Sequence, residues 1–394
     1  MRDVVIVGAT RTAIGAFQGS LAAMAASDLG AAVIRRLLEQ SGVEAGQVDE
    51  VILGQILTAG AGQNPARQAA VKAGLPYEVP AMTLNKLCGS GLKAVQLGAQ
   101  AIACGDAQIV IAGGQESMSQ APHVLRGARA GLRIGDGLLQ DTLLCDGLTD
   151  AFHDYHMGIT AENLAEKYAI DRAEQDAFAL RSQQRASAAQ AEGRFRAEIA
   201  PLSIPQRKGE PLVFEHDEQP RAGTTLDSLA ALRPAFRKDG SVTAGNASTL
   251  NDGAAAVLLM SEAAVRRYDV KPIARFASFA VAGVPPEVMG IGPVEAIPRA
   301  LTRAGVAMAD LGWTELNEAF AAQALAVMRQ LEMDPAKVNP LGGAIALGHP
   351  LGATGAIRTA TLMAAMQRDP GLRYGMISMC IGTGMGAAGV FERV

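Results

Sequence analysis

Short apolar runs alternate with amphipathic stretches along most of the chain. Val4–Gly8 reads as a buried strand, and Val51–Gly54 and Ile109–Ala112 as further strands, each closed by glycine or a polar turn. Ser27-Asp28 predicts the cap of a helix that places Leu29, Val33, Leu37 and Leu38 on one face and stops at Gly42. Strand, helix and strand in short repeats predict parallel pairing through right-handed crossovers, and so an α/β architecture.

Two segments share a layout. Residues 82–114 run strand, Cys88-Gly89-Ser90-Gly91, helix, strand, then Gly113-Gly114. Residues 338–386 run turn, glycine-rich loop with His349, helix, strand Met376–Met379, then Cys380-Ile381-Gly382-Thr383-Gly384. A duplication of this kind brings the two loops together near a pseudo-dyad, at the strand ends where α/β sites form. From about 120 to 248 the chain is more polar and carries Pro201, Pro205, Pro211, Pro220 and Pro234. One long helix is predicted there, from Asp171, with Glu174 as its capping-box partner, to near Gly193. The stretch reads as an inserted, loop-rich subdomain, and its basic residues fit either a solvated surface or an anion site.

Composition narrows the class. At about 150 residues per domain, 394 residues predict two or three domains. Hydrophobic residues are 49% of the chain but aromatics only 4%, so the apolar mass is small and aliphatic, suited to helices packed on a buried sheet. The net charge of −4 (35 basic against 39 acidic side chains) comes without a Lys/Arg block, so nucleic acid is not an expected partner. No apolar run approaches the roughly 18 residues of a membrane span, so no membrane association is expected. Four cysteines without CxxC spacing make no disulfide framework, which predicts a reducing, cytoplasmic setting with thiols free for chemistry.

Four features could carry that chemistry. Cys88 precedes three small residues and a helical apolar stripe, so a helix dipole there would favour thiolate and lower its pKa below about 8.5. The same segment also fits a buried structural cysteine. His349 lies among five glycines and ahead of Pro350, as a base with room for a ligand or as a turn histidine. Cys380 opens a second glycine loop straight after a strand. Asn317 begins an Ala-rich helix segment, able to fix a water or to act as a plain N-cap. Cys104 and Cys145 read as small core residues, and no metal-ligand cluster is visible.

Asn85–Val95 (NKLCGSGLKAV), Asn317–Gln323 (NEAFAAQ), Asn339–Ala356 (NPLGGAIALGHPLGATGA) and the CxGxGxG terminus, in this order, resemble the thiolases. Ala112–Ser119 (AGGQESMS), Tyr155–Ala165 (YHMGITAENLA) and Ala244–Val257 (AGNASTLNDGAAAV) resemble thiolase segments too. The resemblance implies a thiolase fold of two similar βαβαβαββ halves in five layers, αβαβα. Residues 1–119 with 249–270 would form one half, 271–394 the other, and 120–248 an inserted loop domain for CoA binding and an oligomer arm. It implies an acetyl-CoA C-acetyltransferase reaction, a reversible Claisen condensation of two acetyl-CoA to acetoacetyl-CoA plus CoA through an acyl-cysteine. A broader-range 3-ketoacyl-CoA thiolase is the alternative. A ketoacyl synthase-like enzyme fits less well because Cys380 stands where that group has a histidine, and a non-catalytic CoA-binding relative would have lost part of the set.

By matching positions, the resemblance makes Cys88 the nucleophile, His349 its activator and Cys380 the carrier of the α-carbon proton. Asn317 would hold a water in one oxyanion hole, and the amides of Cys88 and Gly382 would form the other. His156, Met157, Arg221, Phe236, Ser248, Met289 and Phe320 would contact the acyl chain or CoA. No cofactor is implied, since CoA thioesters are the substrates, and Arg126–Gly137 reads as an arm within a homotetramer, a dimer of dimers. Two residues depart from the common pattern. Thr383 stands where a third glycine is usual, and as a β-branched residue it argues against positive φ there. Thr249 replaces a glycine beside Ser248.

Overall fold

The first strand, β1 (Val4–Arg11), alternates its side chains between two apolar environments. The computed structural model describes residues 3–394, and Met1 and Arg2 lie outside the described residues. In chain order the first half continues with α1 (Ala26–Ser41), β2 (Glu50–Gly54), α2 (Pro65–Lys72), β3 (Ala81–Leu84), α3 (Ser90–Cys104) and β4 (Ile109–Ser117). After α4 (Met157–Lys167) and α5 (Arg172–Ala191) in the polar middle stretch comes β5 (Asn251–Ser261). The second half runs β6 (Ala274–Gly283), α6 (Gly292–Ala304), β7 (Leu311–Leu316), α7 (Ala321–Gln330), α8 (Thr354–Arg368), β8 (Tyr374–Ile381) and β9 (Met385–Arg393).

The strands line up as β3-β2-β4-β5-β1 and, continuing, β6-β9-β8-β7. Numbered within each half, both orders are 3-2-4-5-1. The third strand of the second half has shrunk to a parallel bridge between Val338 and Thr314. The two first strands pair across the centre through Val5–Arg275 and Ile6–Ala274. The duplication seen as a shared layout is therefore a repeated topology about this junction. Pairing is mixed rather than parallel: β2 runs parallel to β3 and β4, and β7 to β8, while the remaining ladders are antiparallel. The last two strands of each half pair antiparallel, in the second half through the short turn at 382–384 and in the first across the long middle stretch, which the repeating strand–helix pattern did not reveal.

Layering follows from which face each side chain takes. On β5, Leu258 and Met260 pack outward with α1, while Val257 and Leu259 pack inward against α3 and α8. A strand buried on both faces reads as a continuous apolar run, as Ala254–Met260 does. The central layer is the pair α3 and α8, and every residue from Thr354 to Met366 is buried. Helix α6 covers the other sheet face with α7.

Several local expectations change. Helix α1 begins at Ala26 with Ala25 as its cap, so Ser27 and Asp28 lie inside the first turn, where both contact Lys72. Gly42 ends it at φ 67°, as read from the sequence. The Asp171–Glu174 capping box is present on α5. Cys104 is exposed at the end of α3 and Cys145 is half-buried beside Asp146, so neither is a core residue. Arg126–Gly137 lies in the connection of a small hairpin, with Leu132 and Ile134 exposed. Among the described residues no helix is long and apolar enough to cross a membrane.

Candidate active site

The loops after β3 and β8 meet at the end of the central helices, and a cleft of about 630 Å³ opens beside them. Cys88 sits one residue before the cap of α3, in a turn that Ser90 closes. The Ser90 hydroxyl donates to Leu87 O and accepts from Lys86 N–H, both at 2.7 Å, with Leu87 at φ 48°. Small residues let the two halves touch here. A Cβ on Gly89 would lie 2.5 Å from Ile381 Cδ1, and one on Gly91 would lie 2.8 Å from Ala356 N on α8.

Cys88 is half-buried and packs against Leu351, Met118 and Leu57. Burial pushes its thiol up to about 11. The N–H groups of Gly382 and of Cys88 itself, both aimed at the sulfur, act the other way, and Glu116 adds to the rise. The helix terminus therefore does not lower this thiol, contrary to the sequence expectation, because lost hydration outweighs it. Cys380, the penultimate residue of β8, is fully buried among Met157, Ala247, Met289 and Phe320. Burial pushes its thiol well above the ordinary range, and the nearby Cys88 raises it further.

His349 is 4% exposed and held on three sides. Its N–H donates to Asn251 Oδ1 at 2.9 Å, Nδ1 lies 2.6 Å from Thr354 Oγ1, and Nε2 lies 3.5 Å from Asn317 Nδ2. Burial, then the charge of Arg358, lowers its pKa to about 3, so the imidazole is neutral. Asn317 is fully buried in the connection between β7 and α7, ahead of the helix and not its N-cap. Its N–H donates to Ser378 O at 2.9 Å, while its Oδ1 has no partner among the described residues. A buried amide oxygen left open beside an imidazole is a place for a ligand or a water.

The remaining predicted contacts line or back the same cleft. His156 caps α4, accepting from Gly158 N–H at 3.0 Å, and stacks on Phe236 at 4.6 Å; burial lowers its pKa. Phe236 meets Phe320 edge-on at 6.1 Å. Met157 and Met289 join Phe320 in the apolar wall beside Cys380. Ser248, whose N–H donates to Ala319 O, and Arg221 face the opening.

Thr383 departs from expectation. It adopts φ 66° despite its branched Cβ, and its hydroxyl donates to Gly382 O. Gly384 follows at φ 85°, where a Cβ would lie 2.2 Å from Val284 O, so packing on both sides forces the turn. Gly382 itself has no positive φ. Thr249 donates to Asn251 Oδ1 at 2.8 Å, the oxygen that also receives His349 N–H. Glu116, Asn251 and Thr354 were not singled out from the sequence, although each falls within or beside a quoted segment. Being polar within two residues of a glycine was their only signal.

The sequence matches the family description "Thiolase, N-terminal domain" over residues 4–263 and "Thiolase, C-terminal domain" over 270–393. It is 66% identical over 388 residues to an acetyl-CoA acetyltransferase of Pseudomonas aeruginosa, covering 98% of each chain. The structure superposes with a TM-score of 0.97 on the acetyl-CoA acetyltransferase of Bacillus anthracis, at 44% identity, over 100% of this chain and 99% of that one. It superposes with a TM-score of 0.96 on human mitochondrial 3-ketoacyl-CoA thiolase, also at 44% identity and with the same coverage. With the repeated 3-2-4-5-1 topology and two loops converging on one cleft, these matches establish that the chain belongs to the thiolase family.

Proposed function

We propose that this chain is an acetyl-CoA C-acetyltransferase that joins two acetyl-CoA into acetoacetyl-CoA and CoA, reversibly, through an acetyl group on Cys88. The observation that supports the reading is the gathering beside one cleft of a half-buried and a buried thiol from opposite halves, a neutral imidazole and an amide oxygen without a partner among the described residues. The sulfur of Cys88 attacks the thioester carbon as His349 Nε2 takes its proton, with Nδ1–H donating to Thr354. CoA leaves as a thiolate and takes a proton from Cys380. The Cys380 thiolate, a strong base because it is dry, then removes the α-proton of the second acetyl-CoA. The enolate attacks the acetyl carbon, and Cys88 departs with the proton returned from His349.

Two negative oxygens form along this path. One is met by His349 and a water on Asn317, the other by the amides of Cys88 and Gly382, which already point at the Cys88 sulfur. His156, Met157, Phe236, Met289 and Phe320 form the acyl and pantetheine walls, with Ser248 and Arg221 toward the nucleotide. No cofactor enters, because the CoA thioesters are substrates. The reading includes a cytoplasmic homotetramer whose arm is the Arg126–Gly137 stretch, and its exposed Leu132 and Ile134 support that part. It also keeps 120–248 as an inserted domain between halves 1–119 with 249–270 and 271–394.

Intact-protein mass spectrometry after acetyl-CoA treatment is expected to place one acetyl group on Cys88, and a label elsewhere overturns the assignment. Met157 and Met289 close the wall behind Cys380, so kcat/KM is expected to fall from acetoacetyl-CoA to longer 3-ketoacyl-CoAs. A flat profile favours the broader-range 3-ketoacyl-CoA thiolase instead.

A further inference from the structure

Glu116 has no part in the reaction above, yet it is a fully buried carboxylate at the back of the site. Its two oxygens receive three backbone N–H groups: Ile56 at 3.1 Å, Leu57 at 3.1 Å and Gly352 at 2.9 Å. Ile56 and Leu57 follow β2 in the first half and belong to the apolar wall that Cys88 packs against. Gly352 belongs to the second half and stands three residues after His349. One side chain therefore ties the wall behind the nucleophile to the turn that carries the base.

The other flank of that turn is fixed as well. Asn251 on β5 holds His349 N–H, so the peptide from His349 to Gly352 is anchored at both ends by side chains of the first half. The fit leaves little slack. A Cβ on Gly352 would stand 2.8 Å from Glu116 Oε2 and 2.9 Å from Gln55 Cα, and one on Gly114 would stand 2.2 Å from Gly352 O. Burying a carboxylate is costly, and a well-packed apolar residue would serve cohesion alone at least as well. Accepting three backbone N–H groups from two halves in a fixed fork takes a side chain with two acceptor oxygens.

We infer that Glu116 is a positioning residue that sets His349 against Cys88 by clamping the Leu351–Ala353 turn to the end of β2. The inference rests on the reading of His349 as the base. In Glu116→Gln the side chain keeps its volume but has one acceptor oxygen, and its NH₂ faces backbone donors. A base displaced by a fraction of an ångström to an ångström loses up to about 100-fold in rate. For thiolysis of acetoacetyl-CoA, kcat is expected to fall about 10- to 100-fold, with KM changed less than about twofold.

Gly352→Ala pushes the same turn from its own side, its Cβ crowding Glu116 Oε2 and Gln55 Cα while the carboxyl group keeps both oxygens, and it decides the question if Glu116→Gln does not fold. Because Glu116 acts through His349, adding Glu116→Gln to His349→Ala is expected to lower kcat no further. Wild-type kcat in the folded variants overturns the inference, and so does an additive loss in the double variant or a loss shared between kcat and KM. His349→Ala alone separates the two claims: full acetylation of Cys88 there removes the base, and the role of Glu116 with it. Lost acetylation beside unaffected Glu116→Gln and Gly352→Ala removes only the inference.

Discussion

The resting site is expected to hold a neutral thiol and a neutral imidazole rather than a thiolate–imidazolium pair. Cys88 is pushed up to about 11 and His349 down to about 3. Proton transfer between them before substrate binds is uphill by about eight units, on the order of 10 kcal/mol before the new charges attract. At pH 8 the thiolate of Cys88 is then about one part in a thousand, where a thiol of pKa about 8.5 would be about a quarter ionised. The assay is alkylation of the free enzyme by iodoacetamide, followed as mass gained on Cys88 across pH. The rate is expected to climb about tenfold per unit from neutrality to about pH 10 without levelling, because thiolate is the reacting species. His349→Ala is expected to leave that slope unchanged while abolishing acetylation by acetyl-CoA. A plateau at neutral pH that disappears in His349→Ala would refute the reasoning, since it would mean the ion pair exists before substrate arrives.

Asn317→Ala is expected to lower kcat by about 10²–10³-fold, the cost of one oxyanion-hole donor. An unchanged kcat counts against the water site. Thr383→Gly trades a left-handed β-branched residue costing about 1–2 kcal/mol against the greater freedom of an unfolded glycine. Its stability in urea unfolding is expected to stay equal or rise by up to about 1 kcal/mol, and a clear loss would mean the hydroxyl bond to Gly382 O matters more than the strain. Arg11 binds Glu198 and Asp217 at 2.6–2.9 Å, all three buried, and ties the middle stretch to β1. Arg11→Met leaves two buried carboxylates without their cation and is expected to cost about 3–5 kcal/mol, a loss that thermal unfolding would show and that a wild-type Tm would contradict.

What could be read from the sequence was whatever a local pattern encodes. The long helix α5 announced itself through Asp171 and Glu174, because a capping box is closed within four residues. The two sulfurs could be placed because each opens a glycine-rich loop at a strand or helix end. What could not be read depends on partners distant in the chain. The thiol of Cys88 was expected low from its helix, but Leu351, Met118 and Leu57, brought from three other segments, dehydrate it. Thr383 was expected at negative φ from its own Cβ, but Val284 and Pro286 pack against the following glycine and fix the turn. In both cases tertiary contact overrode a local preference worth one or two kcal/mol.

The same distinction explains where the unpredicted site residues lie. Each loop carries its reactive group in its own sequence, but the geometry between loops is supplied from outside them. Asn251 on β5 receives His349 N–H and the Thr249 hydroxyl on one oxygen, so replacing a small residue by Thr249 adds a donor to an acceptor already in use. That second donor restrains Asn251, whose Nδ2 also donates to Gly15 O at 2.9 Å, and leaves it no freedom to release His349. Duplicated halves face this problem by construction. Two copies of one topology bring equivalent loops to a common axis, and setting reactive atoms across that axis falls to side chains that reach from one copy into the other. Asn251 and Glu116 both reach in the same direction, from the first half to the second, which makes the His349 turn the part of the site that is placed and the Cys88 turn the part that is fixed.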